Sequence, residues 1–353
     1  MLNLGQVVTT VQKNCHISDA QYAGDYTLCI FLLKMREFYR WENQIAFTGS
    51  LPRADVGKWM QEREQMWESM ESSTFEPLTL GNDRFDPFDA DSINRTLVPQ
   101  GYVYSAGYGR FNKPHFFLGA LQRQEQRDGN IVYVSACEYA RDLVAPPAML
   151  LNGRIYLRQE SLRRYLWERI EEWRLHPLSE AAVRALACYD FEHRLEESLD
   201  RMTEVETESV ILHEIGEALA GKHLGAAWHE MLATLSRSKG EIMVRAARDL
   251  LADCLSTLPR LVEQENAAAL HFYFASFSGM RRYLFPEALA AYQRWAEAGD
   301  AQALRHLVRD GAQRWLETTQ KILELHRQLG AESVTAIENL LEHPPTCQIL
   351  SAH

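Results

Sequence analysis

The sequence predicts an α+β protein that is predominantly α, an irregular helical bundle with a small three-stranded antiparallel sheet. Three observations lead there. Apolar residues recur at helical spacing through most of the chain, the period changes to strict alternation only between Gly101 and Ala140, and no repeat of fixed length links the helical stretches. With 353 residues and 46% apolar content, the chain can bury one large core or two moderate ones.

Taken in order, residues 1–145 form a helical region that ends in the sheet. Tyr26–Asn43 carries Phe31, Phe38, Tyr39 and Trp41 at helical spacing, an aromatic stripe suited to a core. Gly49-Ser50-Leu51-Pro52 interrupts the pattern before a second helix at about Arg53–Met70. The acid-rich stretch from Asn82 to Asn94 resembles a calcium loop through Asp86, Asp89 and Asp91. It fails the pattern, because Ile93 stands where an oxygen ligand is needed and Asn94 where the loop requires glycine. Asp91 is therefore expected to cap a helix over Ile93–Val98 that Pro99 closes.

Tyr102–Ala106, His115–Leu121 and Asn130–Cys137 alternate as strands, the last two joined by Asp128-Gly129, a dipeptide that supplies the positive φ of a tight hairpin. Gly107-Tyr108-Gly109 is not a dinucleotide fingerprint, since no helix follows it. His115 and Glu138 are expected as surface or satisfied core groups. Ala145-Pro146-Pro147 marks a boundary. Beyond it 146–343 reads as a helical bundle domain, with helices at about 159–174, 179–200, 204–222, 226–235, 239–257, 260–276, 287–297, 301–328 and 332–342. Residues 344–353 read as a tail.

The chemistry is concentrated at residues 203–225. His213 and Glu217 are four apart, which places both on one helical face about 6 Å apart in rise, a spacing suited to metal ligands. Glu214 lies about 100° round the helix and could act as a base toward metal-bound water. Thr203-x-x-Glu206 has the form of a capping box that would open this helix. His213-Glu-Ile-Gly-Glu-Ala-Leu-Ala-Gly-Lys-His223 resembles the metal-binding helix of metzincin-type zinc peptidases, H-E-x-x-H-x-x-G-x-x-H. His213, Glu214 and His223 fall in register, Glu217 replaces the second His, and the glycine arrives one place late, at Gly221. The resemblance implies that the chain turns near Gly221 to bring His223 back to the metal. In an unbroken helix His223 would stand about 15 Å further along the axis.

If 179–200 and 204–222 formed an antiparallel hairpin, Asp190 and His193 would come level with His213 and add the carboxylate-imidazole pair of dimetal bundles. Further ligands would then be sought among Glu263, Glu265, His306 and Asp310. Ala267–Phe274 is too apolar for an exposed face, which makes His271 a hydrogen-bonded interior histidine.

Three functions follow as expectations. The first is a zinc-dependent hydrolase acting on a small-molecule or peptide substrate, with His213, Glu217 and either His223 or His193 as ligands and Glu214 as general base. The second is a di-iron or di-manganese oxidoreductase using Asp190, His193, His213 and Glu217. The third is a non-catalytic interaction or scaffold protein in which the same residues make caps and ion pairs. A net charge of −11 with acids spread throughout argues against a nucleic-acid partner, and no stretch is long and apolar enough for a membrane span. Six dispersed cysteines and no signal-peptide pattern point to a cytoplasmic setting.

Overall fold

In the computed structural model, residues 3–343 are described apart from 23, 25, 110, 111, 176, 177, 236 and 237. The expected tail at 344–353 lies outside the described residues. The chain is predominantly helical and divides into two units: Met1–Leu175 with Asp190–Thr207, and His176–Tyr189 with Glu208–His353.

In the first unit, β1 (Leu78–Leu80) and β2 (Asp83–Phe85) form a small hairpin. β3 (Tyr102–Tyr108), β4 (Pro114–Arg127), β5 (Asn130–Arg141), β6 (Ala148–Leu151) and β7 (Arg154–Arg158) make a sheet of order β3-β4-β5-β7-β6. The expected meander is its β3-β4-β5 portion. Asp128 and Gly129 turn the β4-β5 hairpin with φ of 48° and 79°, the conformation their types favour. Two further strands extend the sheet past the Ala145–Pro147 break. Asn152-Gly153 repeats the same turn between β6 and β7, with φ of 49° and 73°. β7 lies parallel to β5, so the sheet is mixed rather than purely antiparallel.

The helix Leu4–Tyr22 lies on β4 and β5 and buries Val7, Val11 and Cys15 against Phe116 and Leu118. Leu28–Glu42 and Arg53–Glu68 gather a second core around Met35, Phe38 and Trp67. The helix over Ala90–Leu97 is capped by Asp89, whose carboxylate accepts from the Ser92 amide. Asp91, expected in that role, pairs instead with Arg154 at 2.9 Å. His115 and Glu138 are satisfied core groups. His115 Nδ1 is 3.1 Å from Asp142, while Glu138 accepts from the Arg158 guanidinium at 2.5 Å and from Ser161.

The expected antiparallel pair of helices around residue 202 does not form. A short helix, Glu180–Ala187, is capped by Ser179, and Leu195–Leu224 is one continuous helix. No proline interrupts those thirty residues, so helical propagation runs through the expected turn. Thr203, expected to open a helix together with Glu206, sits inside this one and donates its hydroxyl to the Leu199 carbonyl at 2.7 Å. The turn falls earlier, where the Asp190 carboxylate accepts from the His193 amide just before the helix begins.

In the second unit, Lys239–Ala252 runs through a π-helical turn at Asp253–Thr257 into Leu258–Glu263. Pro259 explains the irregularity, because it has no N–H to continue the regular ladder and its ring crowds the preceding turn. Ala226–Thr234, Ala267–Ala275, Gly279–Leu284, Glu287–Ala298, Ala301–Leu329 and Ser333–Glu342 complete an irregular bundle. His271 is half-buried and bonds Tyr292 Oη at 2.9 Å.

Candidate functional site

Gly216, in the middle of the H-E-I-G-E stretch, lets two helices touch backbone to backbone. A Cβ there would stand 2.3 Å from the Ala252 carbonyl oxygen. That close approach sets the helix beside the π-helical turn and brings Asp253 to His213, with Nδ1 2.9 Å from Oδ1. Asp253 is fully buried and well supplied with donors. Its Oδ2 accepts from Tyr273 Oη at 2.8 Å and Arg281 Nη1 at 3.0 Å, and Oδ1 also accepts from Thr257 at 3.3 Å.

On the other side of the imidazole, Nε2 lies 3.7 Å from Glu217 Oε1, so the spacing of four does place His213 and Glu217 on one face. Glu217 Oε2 in turn accepts from Arg248 Nη2 at 3.1 Å. The two carboxylates thus stand at opposite nitrogens of the ring rather than around a common point.

The electrostatics follow from this geometry. Burial by itself would lower the His213 pKa, but the hydrogen bond and charge of Asp253, with the charges of Glu217 and Glu214, raise it to about 10. Burial also disfavours ionised Asp253, yet the His213 hydrogen bond and charge and the Arg281 charge hold it below its ordinary value. Glu214 is pushed up to about 7, by burial first and then by the charge of Glu217. Asp249 is raised by burial, with the charges of Glu217 and Asp253 adding to it against His213.

The remaining expected ligands do not join this centre. His223 lies exposed near the end of the helix, which continues past Gly221 to Leu224 without turning back. Asp190 and His193 are exposed and pair with each other at 3.0 Å. On the unbroken helix Leu195 precedes His213 by about 27 Å of rise. Glu263, Glu265, His306 and Asp310 are exposed. Among the described residues no group of three or more His, Cys, Asp or Glu is set to hold a metal ion. Asp253, Tyr273, Arg248 and Arg281 escape a reading of the sequence because they lie 20 to 40 residues from the partners they serve. Pro259 was the one local mark of the turn that presents Asp253.

A concave site opens elsewhere, within the first unit. A cavity of about 760 Å³ is walled by Arg40, Trp41, Phe47, Glu138, Tyr139 and Arg141, among others. That volume accommodates a small organic molecule. The aromatic stripe of Leu28–Glu42 supplies Trp41, so part of a stripe expected to be core faces this cavity.

These features define a two-part α+β protein with a cavity in the sheet-bearing part and a half-buried ion-pair centre in the helical part. Residues 6–158 match the N-terminal domain and residues 163–344 the C-terminal domain of a family of unknown function (DUF6866), and the chain belongs to that family. The division falls where β7 hands over to the Gln159–Leu175 helix. No curated protein and no solved structure matches the chain.

Proposed function

We propose that this is a small-molecule-binding protein, a non-catalytic reading that differs from the interaction or scaffold protein expected from the sequence. In this reading the cavity of the first unit holds the ligand and the H-E-I-G-E helix is a structural ion-pair lock. The observation that carries it is the cavity of about 760 Å³ in the first unit, and the pairing at His213 speaks against the metal readings. A histidine held as a cation between Asp253 and Glu217 has no lone pair to offer a metal, and Glu217 is itself engaged by Arg248. Among the described residues no helix is long and apolar enough to cross a membrane, and the five described cysteines are unpaired, which suits a cytoplasmic setting.

A second reading, zinc-dependent hydrolysis, is favoured by one feature. A buried carboxylate on Nδ1 orients the ring and directs Nε2 outward, the arrangement that supports metal-bound histidines, and Glu214 near neutrality would serve as a base. Binding of zinc would require His213 to lose its proton and Glu217 to leave Arg248. Metal analysis of protein grown with added zinc separates the two readings. Well under one metal per chain supports the binding protein, whereas one zinc per chain, lost in His213→Ala, supports the hydrolase.

A further inference from the structure

The Arg141 guanidinium stands apart among the charges of the first unit. It is only 1% exposed and lies in the cavity wall. The other arginines of that wall have carboxylate partners: Arg40 reaches Glu37, Arg163 pairs with Glu196 and Asp200, and Arg164 pairs with Glu168. Glu138 and Glu160, whose charges act on Arg141, are engaged elsewhere, Glu138 by Arg158 and Ser161 and Glu160 by the Glu138 amide. Arg141 forms no ion pair among the described residues. Its Nη2 donates at 3.4 Å to the Glu37 carbonyl, and its Nε has no partner. The plane is held over Trp41, 4.7 Å from the ring centroid, and near Phe38 at 5.6 Å.

A buried cation without an ion-pair contact is costly, and the cost shows in the ionisation. Burial, and then the charge of Arg164, lower the Arg141 pKa to about 10 against the opposing charges of Glu138 and Glu160. Aromatic faces offset part of this, but they leave the in-plane Nε donor without a partner and Nη2 with only a long bond to a carbonyl.

We propose that the cavity binds a small organic monocarboxylate, with Arg141 as its anchoring residue. The ligand class follows from three features of the wall. Arg141 offers a planar fork, which matches a carboxylate in a bidentate pair. It is the single cation there without a carboxylate partner among the described residues, so one negative charge on the ligand is neutralised. The glutamates of the wall would repel the additional charge of a phosphate dianion. Trp41, Phe47 and Tyr139 supply flat apolar surface for a planar body attached to the carboxylate. This inference rests on the cavity being a ligand site.

The test uses the full chain and three probes: benzoate, its neutral analogue benzamide, and inorganic phosphate. Binding is read by calorimetry and by tryptophan fluorescence, Trp41 being in the wall. Benzoate is expected to bind about tenfold to a hundredfold more tightly than benzamide, the range for a charge-assisted hydrogen-bonded pair, with phosphate weaker than benzoate. Arg141→Lys is expected to remove most of that preference, and the wild-type comparison needs no variant that might fold poorly. Benzamide binding as well as benzoate would overturn the carboxylate assignment while leaving the cavity a ligand site. Phosphate binding more tightly than benzoate would overturn it in favour of a multiply charged ligand. Binding of none of the three would count against both the inference and the reading it rests on.

Discussion

Replacing Asp253 by asparagine removes the charge that keeps His213 protonated and leaves the shape of the π-helical turn in place. Raising His213 from 6.5 to about 10 corresponds to at most about 5 kcal/mol of differential stabilisation. With 31% of that side chain open to solvent, screening reduces this to about 2–3 kcal/mol. Asp253→Asn also leaves Arg281 without its buried partner, so a loss of about 2–4 kcal/mol is expected. Because the folded pKa of His213 is raised, its contribution is complete below about pH 6.5 and is lost as pH rises through about 10. Asp253 works in the opposite sense. Its pKa is lowered, so its contribution is present above its ordinary value of 3.8 and falls away in stronger acid. The assay is urea unfolding followed by circular dichroism at about pH 6 and about pH 10, comparing midpoints at fixed slope. Wild type should lose stability between the two conditions, and Asp253→Asn should start lower and lose much less. Equal losses in both proteins, or a variant as stable as wild type at pH 6, would refute the reasoning.

Other outcomes follow from the same geometry. Gly216→Ala should cost about 1–3 kcal/mol, because its Cβ would meet the Ala252 carbonyl. Gly221→Ala on the same helix has nothing within 4 Å and should stabilise by up to about 1 kcal/mol; urea midpoints of the two variants check both. His223→Ala and His193→Ala alter exposed side chains and should leave urea midpoints and metal content as in wild type, whereas metal ligands would change both. Glu138→Gln withdraws the charge from Arg158, which is 1% exposed, and should destabilise the first unit by about 3–5 kcal/mol, seen as a lower thermal midpoint.

What could be read from the sequence was what neighbouring residues decide. Asp128-Gly129 announced its hairpin because those two residues alone favour the required turn. Asn152-Gly153 carried the same signal past the Ala145-Pro146-Pro147 break, but pairing of β7 with β5 across more than twenty residues has no local mark. The spacing of His213 and Glu217 correctly put them on one face. What else surrounds the ring depends on Asp253 and Arg248, delivered by a different helix that Gly216 allows to approach. Continuity of the Leu195–Leu224 helix then kept Asp190 and His193 away, since a capping pattern at Thr203 cannot stop a helix whose preceding residues also propagate it. Arg141 looked like any strand arginine; only packing shows that it forms no ion pair among the described residues.

The protonation state of His213 tests the central claim most directly. In protein labelled with nitrogen-15 at histidine, and assigned with His213→Ala, both ring nitrogens should carry protons at about pH 8 and titrate only near pH 10. A neutral ring at pH 8, with Nε2 shifted by a bound metal, would contradict the ion-pair account and return the zinc reading to first place.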